Sequence, residues 1–91
     1  MAQTKADPWA KAKAVTLLKD AHEALTHLMP APGASREMWR DFYLRSAEVY
    51  AHVAEVDRGH HHEALYWAKR EREKGEALRS VNGGEVADDQ R

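Results

Sequence analysis

YAHVAEVDRGHHHEALYWAKRER, residues 50–72, is the stretch that decides the fold. It predicts the end of one helix, a turn at Gly59, and a second helix that opens with three histidines and a carboxylate. A glycine favours a helix end because it takes the left-handed conformation at little cost. A single helix that continues through Gly59 is the alternative. The stretch indicates a helical hairpin that carries either a metal-binding corner or a docking surface.

The helix before this turn is predicted to be the central one. Ser35 is a suitable N-cap residue, and Asp57 marks the end of the apolar pattern. The apolar positions form two neighbouring stripes, with Trp39, Phe42, Ser46, Val49, Val53 and Val56 in one and Tyr43, Ala47, Tyr50 and Ala54 in the other. Because two stripes imply two packing neighbours, we expect this helix to lie between the others.

One further helix is predicted on each side of the central helix. The first begins at Pro8, with Asp7 as its N-cap, and runs without interruption to Leu28, before the prolines of residues 30–33. The last begins near His60 and ends near Ser80, and its charged second half is expected to be a solvated face. The prediction is an all-α domain of three helices at residues 7–80, flanked by disordered segments at residues 1–6 and 81–91.

Composition excludes several classes of protein. The formal net charge is −1, from 14 basic and 15 acidic residues, which argues against nucleic-acid binding. No apolar run approaches the roughly 20 residues that span a bilayer, and the amino terminus lacks the apolar core of a secretory signal. The chain has no cysteine, so it forms neither disulfides nor thiolate metal sites. We therefore expect a cytoplasmic protein that binds neither nucleic acid nor membrane.

The histidine cluster is the candidate metal site, with His60, His61, His62 and Glu63 as ligands. Imidazole and carboxylate groups together suit zinc, nickel or copper, so a transition-metal ion is the one cofactor that the sequence suggests. Neighbouring residues on a helix point about 100° apart, however, so His61 and His62 cannot both bind one ion from a regular helix. A histidine at a helix start also hydrogen-bonds the preceding turn, which is the structural alternative. Protonation would place mutually repelling positive charges at the positive end of the helix, so we expect weaker structure or association near about pH 5.5.

The sequence carries no signature of an enzyme. It has no glycine-rich phosphate loop, no nucleophile elbow and no cysteine nucleophile. A carboxylate near histidines, such as Glu55 or Glu63, is more often part of a surface ion pair than an acid–base catalyst. We predict a protein that is not an enzyme.

An aromatic cluster indicates a binding surface instead. Leu65, Tyr66, Trp67 and Ala68 are consecutive, so on a helix they cover most of its circumference. Two neighbouring helices cannot shelter all of them, and exposed aromatic residues are frequent interface anchors. The predicted interface residues are Trp67, Tyr66, Tyr43, Leu65 and Tyr50, with a protein partner or a second copy of the chain opposite them. The alternative is that Tyr66 or Trp67 lies along the charged stems of Lys69 and Arg70.

Two resemblances accompany these predictions. Gly59, the segment Glu63-Ala64-Leu65 and Ala68 resemble the turn and second helix of a tetratricopeptide (TPR) repeat, although no second copy follows at a 34-residue offset. The blocks PAPGA, RSAEVY and DRGHHHEALYWA, between residues 30 and 72, resemble a family of small uncharacterised actinobacterial proteins. The first implies a TPR-like hairpin and the second a bacterial, cytoplasmic setting. Neither implies an activity. The predicted function is a self-associating interaction or regulatory module, and the alternative is a histidine-based metal-binding or pH-responsive protein.

Overall fold

The computed structural model describes residues 7–83, with side chains through residue 79. Within this range the chain is helical and contains no strand. The elements are α1 (Pro8–Ala14), α2 (Leu18–Leu28), α3 (Arg36–Val56), a short 3-10 turn (Arg58–His60) and α4 (His61–Gly83). The predicted all-α class is confirmed. The helix α4 continues three residues beyond Ser80, and the disorder expected at residues 1–6 and 84–91 lies outside the described residues.

The central helix α3 begins and ends where its sequence indicates. The Ser35 hydroxyl accepts a hydrogen bond from the Met38 N–H at 3.1 Å, which satisfies one of the free donors of the first turn. At the other end the helix stops before Asp57, so the alternative of one continuous helix is wrong. The turn is closed by the His60 N–H, which donates to the Asp57 carbonyl at 2.9 Å. The backbone at Gly59 forms this 3-10 turn and does not take the expected left-handed conformation.

Helices α3 and α4 pack against each other to form the predicted hairpin. On α4 the residues that face α3 are small or buried, and they recur at spacings of four, three and four: Ala64, Ala68, Glu71 and Gly75. The two helices lie so close at Gly75 that an added Cβ would be 2.5 Å from Leu44 Cδ2. We call these four residues the closed seam, because α3 covers them.

The amino-terminal helix is broken, which corrects the prediction of one helix from Pro8 to Leu28. Residues 15–17 are not helical, so the described chain has four α-helices where three were predicted. The Leu18 N–H, which begins α2, donates to the Asp57 carboxylate at 2.9 Å. Two β-branched residues, Val15 and Thr16, lower the helix propensity at the break. The break allows α1 to pack separately, with Trp9 against Phe42 at a ring-centroid distance of 6.0 Å.

The core lies where α1, α2 and α4 meet α3. The central position predicted for α3 is confirmed, since it contacts all three other helices. Phe42, Val49 and Val53 are 6%, 3% and 0% exposed, as the apolar stripe predicts. Between residues 7 and 83, no helix is both long enough and apolar enough to cross a membrane.

Candidate functional site: an aromatic cleft beside the fourth helix

An open cleft of about 320 Å³ lies between α2 and α4, with α3 as its floor. Its walls carry His22, Leu25, Thr26 and Met29 from α2 and just after it, and Trp67, Arg70, Glu71 and Lys74 from α4. The floor is formed by Trp39, Phe42, Tyr43, Ser46 and Tyr50. Its volume is at the lower end of the range for ligand pockets, and an apolar side chain would fit in it. We call this feature the aromatic cleft.

Two groups of aromatic rings in contact give the cleft its apolar surface. Trp39, Phe42 and Tyr43 contact one another with centroid distances between 5.6 and 5.9 Å. Deeper along α3, the Tyr50 ring stacks on the Trp67 ring at 6.0 Å with an interplanar angle of 29°. Aromatic pairs at these distances stabilise each other beyond the effect of area burial. The rings therefore form a fixed surface and need little rearrangement to receive an apolar group.

A hydrogen bond joins the α2 wall of the cleft to its floor. His22 Nδ1 and the Tyr50 hydroxyl are 2.7 Å apart, across 28 residues of sequence. Burial, and secondarily the negative charge of Glu71, raises the pKa of Tyr50 to about 12. Tyr50 is thus a neutral hydroxyl near neutral pH, and it donates to His22 when the imidazole proton is on Nε2.

The α4 wall of the cleft is charged, and part of this charge is buried. Glu71 is only 7% exposed, and its carboxylate accepts a hydrogen bond from Arg70 Nη1 at 3.0 Å. Arg70 also lies over the Trp67 ring at 5.2 Å, and Lys74 lies over the Tyr43 ring at the same distance. These contacts are cation–π interactions, which favour the positive charges beside the rings. The wall presents cations toward the open side of the cleft.

The expectation that residues 69–79 form only a solvated face is wrong at two positions. Glu71 and Gly75 are buried against α3. The apolar pattern did not predict this buried face, because one of these residues is charged and the other has no side chain. The available signal was the heptad-like spacing that these two residues share with Ala64 and Ala68.

Ser46 is the remaining polar group at the cleft floor. It is 1% exposed, and its hydroxyl has no hydrogen-bond partner. A buried hydroxyl without a partner costs free energy. No histidine or carboxylate lies within hydrogen-bond distance of it among the described residues, so it is not arranged as an activated nucleophile.

The structure brings three of the five predicted interface residues together. Tyr43, Tyr50 and Trp67 all line the cleft, although Tyr50 is only 5% exposed and is part of the core. Tyr66 is 59% exposed and lies edge-on to Trp67 at 5.5 Å, so it lies beside the cleft. Leu65 is 42% exposed but does not line the cleft. The alternative arrangement for Trp67 is also observed, because Arg70 lies over its ring.

The histidine turn makes structural contacts. His61 Nδ1 is 2.7 Å from the Ala54 carbonyl, so it carries a proton and donates to the end of α3. His60 Nδ1 lies 3.0 Å from the Asp57 carboxylate. The hydrogen bond from the Leu18 N–H, followed by the one from His60, lowers the pKa of Asp57. His62 is exposed, with its ring edge-on to that of His61 at 5.1 Å.

The hydrogen bonds of the histidine turn connect helices α2, α3 and α4. Asp57 joins the start of α2 to the turn, and His61 joins the start of α4 to the end of α3. Glu63 lines a smaller cleft of about 280 Å³ together with Asp57 and His60. Within the described part of the chain, no three histidine, aspartate or glutamate side chains are grouped closely enough to hold a metal ion. The predicted ligands His60, His61, His62 and Glu63 therefore do not come together as one such group.

Comparison with known proteins gives no match to a family model, to a curated protein sequence or to a solved structure. The resemblances to a TPR hairpin and to an actinobacterial family stay predictions.

Proposed function

We propose that this protein is a non-enzymatic interaction module that associates with a second copy of itself through the aromatic cleft. The observation that carries the proposal is an apolar cleft with exposed apolar side chains at its edges. Met29 is 53% exposed on the α2 side, and Tyr66 is 59% exposed beside the α4 side. Large apolar groups around a concave apolar surface are typical of interfaces in soluble proteins.

The polar groups of the cleft also favour binding over catalysis. His22 is paired with Tyr50, and Arg70 with Glu71, so the groups that would move protons are engaged with each other. Such pairing leaves the rings as the main free surface. An apolar side chain of a partner would bury against them without breaking either of these polar pairs.

Charge and size support a second copy as the occupant. With a formal net charge of −1, two copies repel each other only weakly. A domain of this size without disulfides has a small core, and association is a common way to bury more apolar surface. The exposed Tyr66 supplies a side chain that the cleft of another copy would accept.

Sedimentation equilibrium of the full chain, from low to high micromolar concentration, tests this proposal. We expect a concentration-dependent dimer, and we expect Tyr66→Ser to weaken it because the variant removes an exposed aromatic anchor. Met38→Ser is the matched control, since Met38 is 57% exposed but does not line the cleft. A monomer throughout the concentration range, or equal weakening by both variants, would contradict the proposal.

A further inference from the structure

Beside its closed seam, α4 carries a second row of residues at the spacing that helix pairing requires. Glu63, Trp67, Arg70 and Lys74 are separated by four, three and four residues. At about 100° per residue they lie within roughly 60° of one another around the helix. Trp67, Arg70 and Lys74 line the aromatic cleft. We call this row the open seam, because it borders the open cleft; its central residue, Trp67, contacts other helices through His22 of α2 and Tyr50 of α3.

The two ends of the open seam carry opposite charges, and neither has an ion-pair partner among the described residues, although Lys74 lies over the Tyr43 ring. The Glu63 carboxylate and the Lys74 ammonium take part in no ion pair among the described residues. Their neighbours on the helix are paired differently, since Lys69 binds Glu73 at 2.6 Å and Arg70 binds Glu71. The open seam therefore has an exposed negative charge near its start and, near its end, a half-buried positive charge that contacts a ring but no carboxylate.

We infer that the second copy docks by antiparallel pairing of α4 with α4 along the open seam. This inference rests on the proposed self-association and specifies its geometry. A two-fold axis between positions 68 and 69 places Glu63 of each copy opposite Lys74 of the other. The same axis places Trp67 opposite Arg70. A two-fold arrangement thus forms the Glu63–Lys74 pair twice, whereas a parallel arrangement sets like charges against each other.

The exposed aromatic residue fits the same arrangement. Tyr66 lies about 60° to the outer side of the open seam, next to Trp67. In the antiparallel pair, position 66 of one copy lies opposite position 71 of the other, one residue from Arg70. The Tyr66 ring then reaches the mouth of the other copy's aromatic cleft. One contact between the two copies would thus give the Glu63 carboxylate and the Lys74 ammonium an ion-pair partner and would cover the exposed Tyr66 ring.

Charge reversal tests the geometry directly in the full chain. Glu63→Lys or Lys74→Glu alone sets like charges together at both ends of the dimer, and we expect each variant to weaken dimerisation by roughly tenfold. The double variant Glu63→Lys, Lys74→Glu restores opposite charges and is expected to dimerise within about threefold of the wild type. Arg72→Glu is the matched control, because Arg72 is an exposed α4 residue outside the open seam, and it is expected to leave dimerisation unchanged.

The outcomes separate this inference from the proposed function. Circular dichroism shows that each variant is folded, and sedimentation equilibrium at low salt measures the dimer. Weakening by both single variants with recovery in the double variant supports antiparallel pairing. A wild-type dimer that the single reversals leave unchanged, or a double variant as weak as the single variants, overturns the pairing but leaves self-association standing. A wild type that stays monomeric overturns both.

Discussion

The two seams of α4 have the same spacing but different compositions. The closed seam consists of Ala64, Ala68, Glu71 and Gly75, whose small side chains allow α3 to approach closely. The open seam has Trp67 at its centre and, at its ends, the charges of Glu63 and Lys74, which form no ion pair among the described residues. Small residues close a helix pair within one chain, whereas large aromatic and charged residues leave a surface for a second chain. Two rows of residues with the same spacing on one helix can therefore serve different purposes, one for packing within the chain and the other as a surface.

The largest effect is expected at Phe42, where the arm formed by α1 and α2 meets the hairpin. Phe42 is 6% exposed and contacts the rings of Trp9, Trp39 and Tyr43. Phe42→Ala should lower the free energy of unfolding by about 3–5 kcal/mol, as for other buried aromatic residues, and this would unfold most of a small domain. Urea denaturation measures the change. Val56→Ala is the control on the same helix, since Val56 is 43% exposed and should change stability little. A folded Phe42→Ala variant would show that the arm and the hairpin do not share this core.

The next effect is expected on the closed seam. In Gly75→Ala the new Cβ would lie 2.5 Å from Leu44 Cδ2 and 2.7 Å from Leu44 Cγ. We expect a net loss of about 1–2 kcal/mol, because the overpacking outweighs the higher helix propensity of alanine.

Two further variants show whether the cause is the close approach. Leu44→Ala combined with Gly75→Ala should be less destabilised than the sum of the two single changes, because the added methyl then has space. Gly33→Ala is the matched control, since an added Cβ there meets nothing within 4 Å. Thermal melting followed by circular dichroism compares these variants, and Leu44→Ala alone, with the wild type. If Gly75→Ala were as stable as the wild type, the Leu44 side chain would move aside at little cost, and the closed seam would not be closely packed at Gly75.

The third effect concerns the stability of the fold at alkaline pH and depends on Tyr50, the buried tyrosine of α3 that stacks on Trp67. The pKa of Tyr50 is raised from 10.0 to about 12, mainly by burial. Since the unfolded chain loses this proton first, the contribution to stability is full below pH 10 and is lost as the pH rises toward 12. Urea denaturation along an alkaline series should show this decline in the wild type and a shallower decline in Tyr50→Phe. Tyr66→Phe, at an exposed position, should keep the slope of the wild type. Equal slopes for all three proteins would contradict the assigned burial of Tyr50.

The smallest effect is expected at the turn that connects α2 to the hairpin. The pKa of Asp57 is lowered, chiefly by the hydrogen bond from the Leu18 N–H. The unfolded chain therefore takes up this proton first as the pH falls, so the stabilisation is full above the ordinary value of 3.8 and is lost below it.

This window differs from the region near about pH 5.5 in which histidine protonation was expected to act. In Asp57→Asn we expect the amide of Leu18 to exchange faster, while the amides of the closed seam stay protected. Hydrogen exchange followed by NMR measures both sets. Equal acceleration in α2 and α4 would show that the arm does not open separately from the hairpin.

The apolar pattern was sufficient to predict the hairpin but not the arm. The stripes of α3 gave its N-cap at Ser35 and its buried residues, because that helix has a neighbour on each stripe and periodicity reports burial directly. The break before Leu18 has a local and a distant contribution. Val15 and Thr16 lower the helix propensity there, and the Asp57 carboxylate, 39 residues away, accepts a hydrogen bond from the first residue of α2. A pattern of neighbouring residues contains no information about the second contribution.

The candidate site was predicted only in part. Tyr66 and Trp67 were predicted because consecutive large residues cover most of the circumference of a helix, and Tyr43 was placed beside them; all three lie in or beside the aromatic cleft. Tyr50 was placed on a surface although it is in the core. The charged row of α4 was treated as uniformly solvated, which concealed Glu71 in the closed seam and the complementary ends of the open seam. Periodicity must therefore be examined for charged and small residues as well as apolar ones.

Cross-linking across the open seam tests the central claim most directly, and a chain without cysteine offers a clean background. The variants Glu63→Cys and Lys74→Cys are each treated with a bismaleimide linker shorter than about 16 Å, which is the separation of the two positions along α4. The antiparallel pair predicts that a mixture of the two variants gives a covalent dimer on a denaturing gel, while either variant alone gives almost none. Covalent dimers from each variant alone, or none in the mixture at concentrations where the wild type dimerises, would contradict the account.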